Sequence, residues 1–69
     1  MMEVNIIVNG EAKSFATPIN VSNLLQDMGL VGRRVAVEIN LEIIPRSRYG
    51  EQLLQENDHV EIVRAIGGG

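Results

Sequence analysis

"EVNIIVNGEAKSFATPINVSNLLQDMG", residues 3–29, sets two structural signals side by side. Its first residues alternate, with Val4, Ile6 and Val8 on one side and Glu3, Asn5 and Ile7 on the other. Period two marks a half-buried strand. Asn9-Gly10 follows, the strongest short hairpin signal, because a type I′ turn needs positive φ at both positions. "EAKSFAT" is then the returning strand, with Phe15 as its core anchor, and Pro18 breaks it. Asn20 is placed to cap a helix, its side-chain oxygen accepting from an early backbone N–H. Val21, Leu24, Leu25 and Met28 recur at i, i+3, i+4 and i+7, an apolar helical stripe. Gly29 suits the left-handed position that closes such a helix. The spacing predicts a helix over residues 20–29 of nearly three turns. That length is not stable alone in water, so the helix must lie on a sheet.

The rest of the chain supplies that sheet. "RVAVEI", residues 34–39, is a third strand with Val35, Val37 and Ile39 inward and Ala36 and Glu38 outward. Asn40 makes a turn, and "EIIP" is a short fourth strand that Pro45 ends. Residues 46–54 have weak periodicity and read as a loop with one helical turn, in which Tyr49 covers the core edge. Asn57-Asp58 is another turn pair. "HVEIV", residues 59–63, is the last strand, with Val60 and Ile62 inward. Strand, strand, helix, strand, short strand, strand is an α+β order: one sheet of four to five strands with a helix across one face. The expected division is a folded domain over residues 1–66 and a glycine tail over 67–69.

Composition narrows the function. Sixty-nine residues make one domain. Apolar residues are 45% of the chain, and Phe15 and Tyr49 are its only aromatics. The formal net charge is −3, and neither basic patches nor aromatic stacking platforms are evident, so nucleic acid is not an expected partner. No apolar run approaches the length of a bilayer span, and no membrane partner is expected. No charged-then-apolar leader opens the sequence; a cytoplasmic protein is the expectation. With no cysteine, thiolate metal sites and thiol nucleophiles are excluded. The single histidine, His59, cannot build a metal site alone and reads as a surface residue opening a strand. Glu38 and Glu42 flank a turn and form the only carboxylate pair worth weighing for acid–base work; exposed strand residues are the simpler reading. Gly29 and Gly32 do not sit between a strand and a helix as a phosphate-binding loop requires.

What remains is "EIVRAIGGG", residues 61–69. Glycine packs least and loses most freedom on ordering. At an average usage of about 7%, three in a row at a given position arise by chance in roughly 3 of 10,000 sequences. A frayed terminus is the bland explanation. The chemical one is the α-carboxylate of Gly69, ionised at neutral pH and a poor electrophile until it becomes an acyl adenylate. Gly67 and Gly68 would let the chain thread a narrow channel. From Ala65 to Gly69 the extended reach is roughly 15 Å, enough to enter a partner's pocket while the domain stays outside.

The strand–helix order with a Gly-Gly end resembles the β-grasp, ubiquitin-like superfamily. Within it, "VEINLEIIPRSRY" (residues 37–49) and "ENDHVEIVRAIGGG" (residues 56–69) resemble the ThiS family of thiamine-biosynthesis sulfur carriers, over essentially the whole length. Ile44-Pro45-Arg46 favours this family over related carriers that share the tail. Gly67 departs from it, since many members carry another small residue there. The resemblance implies a carrier, not an enzyme, with no bound cofactor. A ThiF-like adenylating enzyme would use ATP and Mg²⁺ to activate Gly69. Sulfur from a cysteine desulfurase pathway would leave a thiocarboxylate there, and a ThiG-like thiazole synthase would take it into the thiazole ring. A carrier without a thiol has to hold its sulfur elsewhere.

Outward positions suggest where a partner rests. If their strands are neighbours, Ile7, Ala36 and Val63 form an apolar patch on the uncovered sheet face, expected to meet the adenylating enzyme. Arg64, just before the tail, would pair with partner acids or steer the arm; a solvated strand end explains it equally well. Arg46 and Arg48 read as surface residues. Three alternatives stay open: the small subunit of molybdopterin synthase, with the same tail chemistry; a protein modifier joined to lysines; and a β-grasp binding module whose end does nothing.

Overall fold

The period-two segments all form strands of one sheet in the computed structural model, which describes residues 2–64. In chain order they are β1 (Glu3–Val8), β2 (Glu11–Ala16), the helix α1 (Val21–Asp27), β3 (Val35–Ile39), β4 (Glu42–Ile44), a 3₁₀ turn (Arg46–Arg48) and β5 (His59–Arg64). The sheet order is β2-β1-β5-β3-β4. β1 and β5 run parallel at its centre, and every other neighbouring pair is antiparallel. This is the β-grasp arrangement. The expected boundary between domain and glycine tail lies outside the described residues.

The hairpin forms as its turn residues require. Asn9 and Gly10 have φ of 50° and 85°, the left-handed pair of a type I′ turn, and β1 and β2 pair from Glu3↔Ala16 to Val8↔Glu11. Val4, Ile6 and Val8 of β1, Val37 and Ile39 of β3, and Val60 and Ile62 of β5 are buried on one face, against Val21, Leu24 and Leu25 of the helix. Phe15 is only partly buried, because β2 is an edge strand. It packs against the core margin rather than anchoring it.

The helix is shorter than its apolar stripe. Its N-terminus is closed by a reciprocal pair: the Asn20 Oδ1 accepts from the Asn23 N–H at 2.7 Å, and the Asn23 Oδ1 accepts from the Asn20 N–H at 3.1 Å. It stops at Asp27, and Met28 and Gly29 form the cap. The Leu30 N–H donates to the Leu25 carbonyl at 2.8 Å and the Gly29 N–H to the Gln26 carbonyl at 3.1 Å, the two bonds of a Schellman cap. Gly29, at φ 72°, makes that cap possible. The last turn of the predicted helix is therefore spent on its termination.

Residues 46–56 form a strap rather than a plain loop. The Val21 N–H donates to the Gln52 carbonyl, the Ser22 N–H to the Tyr49 carbonyl, and the Leu54 N–H to the Ile19 carbonyl, at 3.1, 3.1 and 2.9 Å. The helix's first N–H groups, which have no partner within a helix, are satisfied by this strap and by Asn20. Tyr49 and Leu54 are buried along with Ile19 and Ile44.

Candidate functional site

β5 is the last strand in the chain, and in the sequence only Ala65 and Ile66 separate it from the terminal glycines. It is the third of five strands. On one side it pairs with β3 over its whole length, from Ile39↔Val60 to Val35↔Arg64. On the other it pairs with β1 at only two positions, Ile7↔His59 and Val8↔Val60. Beyond Val8 the chain turns away, and the Asn9 side chain takes the place of strand. Its Oδ1 accepts from the Ile62 N–H at 2.8 Å and its Nδ2 donates to the Ile62 carbonyl at 3.3 Å.

The expected partner face is only partly continuous. Ala36 and Val63 are direct cross-strand partners on the sheet face away from the helix, and Val63 is 60% exposed. Ile7 lies on the same face but opposite His59, four residues back along β5 and so about 13 Å from Val63 at the rise of a strand. Glu61 lies between, directly opposite Glu38. Strand adjacency therefore joins two of the three residues and separates the third. Ile43, which outward parity alone did not single out, sits opposite Glu38 and is 70% exposed. It stands diagonal to Ala36, so the apolar surface near the end of β5 is Ala36, Val63 and Ile43, bordered by two carboxylates.

Arg64 belongs to the opposite face. It is two residues beyond buried Ile62 and pairs with Val35, which packs against the core. It therefore stands at the end of the helix-covered face, beside a groove of about 260 Å³ whose lining includes Leu25, Leu30, Val31, Val35, Arg33 and Arg46. Gly67, Gly68 and Gly69, the expected arm, lie outside the described residues.

Among the described residues no charged or polar residue is buried, and no three His, Asp or Glu side chains gather where a metal ion could be held. Glu38 and Glu42 do not form a carboxylate pair: Glu38 pairs with Ile43 on the uncovered face, whereas Glu42 pairs with buried Ile39 on the helix side. His59 is exposed at the first position of β5, its backbone N–H donating to the Asn40 Oδ1 at 2.9 Å. Glu56 is an acid with a shifted pKa. Its oxygens accept from the Asn5 N–H at 2.9 Å and the Asn5 Nδ2 at 3.0 Å, and these bonds, the backbone one foremost, hold its pKa below the usual value. That contact ties the strap to β1. No helix of the described residues is long and apolar enough to cross a membrane.

Comparison with known proteins agrees with this geometry. The model of the ThiS family matches residues 6–69, glycines included. A thiazole synthase of Paramagnetospirillum magneticum is 42% identical over 66 residues, which are 96% of this chain but 20% of that protein; the chain thus spans about a fifth of the length of that relative. The sulfur carrier protein ThiS of Escherichia coli is 27% identical over 66 residues, 96% of this chain and all of that one. The crystal structure of a thiamine biosynthesis protein (ThiS) from Geobacter metallireducens superposes with a TM-score of 0.81 at 30% identity, covering 96% of this chain and 100% of that one. With a five-stranded sheet, a single crossing helix and a family match that runs through the terminal glycines, this chain belongs to the ThiS family.

Proposed function

We propose that this protein carries sulfur for the thiazole ring of thiamine on the carboxyl group of Gly69. The observation that carries the reading is the extent of the family match, which includes Gly69, on a fold in which no charged or polar residue among those described is buried. A partner adenylating enzyme would join the Gly69 carboxylate to the α-phosphate of ATP, with Mg²⁺, and release pyrophosphate. Persulfide sulfur supplied through a cysteine desulfurase pathway would then displace AMP to give an acyl disulfide, and a thiol reductant would cleave its S–S bond to leave the thiocarboxylate. Glycines at 67 and 68 place no side chain in the way of threading into a partner's site. The chain itself catalyses nothing in this scheme.

The destination of the sulfur is read from the relatives. Two names bear on it: a thiazole synthase that contains a segment similar to this chain, and a thiamine biosynthesis protein of the same fold. A domain found within an enzyme in one species and separately in another is a natural partner of that enzyme, so thiazole synthase is the proposed acceptor. The test is complementation. A thiamine-requiring strain lacking its sulfur carrier should grow with this protein and fail with a variant lacking Gly68 and Gly69. Growth of both, or rescue confined to a strain lacking the molybdopterin synthase small subunit, would overturn the proposal.

A further inference from the structure

The two sides of β5 are supported unequally, and one side chain makes up the difference. Against β3 the strand is paired to its last residue, Arg64. Against β1 the register ends at Val8↔Val60. The Asn9 N–H makes one more ladder bond, to the Val60 carbonyl at 2.9 Å, and then the chain reverses through Asn9 and Gly10. In a parallel ladder the next rung would join the Asn9 backbone carbonyl to the Ile62 N–H. Here the carboxamide of Asn9 makes it, and it also donates to the Ile62 carbonyl. A carboxamide presents the donor and acceptor of a peptide group. The turn explains why position 9 needs a residue tolerant of positive φ; it does not explain the pairing with Ile62, which glycine could not make.

We propose that Asn9 is a positioning residue: its carboxamide fixes the end of β5 and so sets how the terminal glycines are presented to the adenylating partner. The inference rests on the carrier reading given above. A strand end ordered before the encounter loses less freedom on binding, so removing the clamp raises the KM for this protein as substrate and leaves kcat unchanged.

Two variants of the full chain separate the clamp from the turn. Both glycine and aspartate accept the left-handed backbone of position 9. Asn9→Gly removes both bonds to Ile62, whereas Asn9→Asp keeps the acceptor for its N–H and loses the donor to its carbonyl. In Asn9→Gly, amide exchange at Ile62 should accelerate about tenfold relative to the helical Leu24 amide. Its KM in adenylation should rise about two- to tenfold, the factor that corresponds to the net worth of one hydrogen bond. Asn9→Asp should recover only part of both effects, because its second oxygen faces the Ile62 carbonyl. Unchanged exchange at Ile62 in Asn9→Gly, an unchanged KM in that variant, or an Asn9→Asp variant indistinguishable from the parent would each overturn the proposal. A parent that is not adenylated at all would overturn the carrier reading instead, and the two failures are told apart because exchange at Ile62 is read without any partner.

Discussion

At the scale of single residues, asparagines do the work that an all-aliphatic framework could not. Asn20 closes the helix start with Asn23 and also donates through its Nδ2 to the Gly50 carbonyl at 3.1 Å, joining helix and strap. Asn20→Ala should cost about 1–2 kcal/mol, the upper half of the usual range for a lost cap, which thermal unfolding would show as a midpoint lower by about 4–16 °C for a chain of this size. Glu56 gives a pH signature. Its folded pKa lies below the ordinary 4.5, so the contribution is fully present above that value and is lost as pH falls through the lowered one. Glu56→Gln should therefore flatten the acid limb of stability as pH falls below about 4.5, measured as the urea midpoint against pH; an acid limb as steep as the parent's would contradict the assignment. Asn9 and Asn20 were legible as turn and cap because those signals are local. The bonds of Asn9 to Ile62 and of Asn5 to Glu56 were not: they span 53 and 51 residues of sequence, and nothing near either end announces the other.

At the scale of elements, periodicity revealed what lies inside and pairing decided what lies beside what. Every inward residue predicted for β1 and β5 is buried, because alternation in a strand leaves little freedom once one face is covered. Leu24, fully buried under the helix, should cost about 2–5 kcal/mol on replacement by alanine, measured by chemical denaturation. The strap of residues 46–56 escaped periodicity, since its buried residues Tyr49 and Leu54 fit neither helix nor strand spacing and its hydrogen bonds run to the helix start. The uncovered face shows the same division. Outward parity found Ile7, Ala36 and Val63, but the parallel pairing of β1 with β5 places Ile7 by His59 and leaves Ile43 as the nearer apolar neighbour of Ala36. Val63→Asp adds a charge on this exposed surface beside Glu61. It should leave the unfolding midpoint nearly unchanged and lower kcat/KM for adenylation about tenfold or more, as loss of an interface anchor does; unchanged adenylation would remove this face from the partner's footprint.

At the scale of the whole molecule, the order β2-β1-β5-β3-β4 places the last strand at the centre of the sheet. That strand is held by β3 to Arg64 and by β1 and the Asn9 carboxamide as far as Ile62, with its side chains alternating between the helix-covered core and the open face. In the proposed carrier role this strand is the root of the glycine arm. The most direct test is the mass of the intact protein after incubation with ATP, Mg²⁺, an adenylating enzyme and a sulfur donor. The account predicts the exchange of one oxygen for sulfur, located at Gly69 by fragmentation and absent when Gly68 and Gly69 are deleted. An unchanged mass, or attachment of the chain to lysines of other proteins in its place, would contradict it.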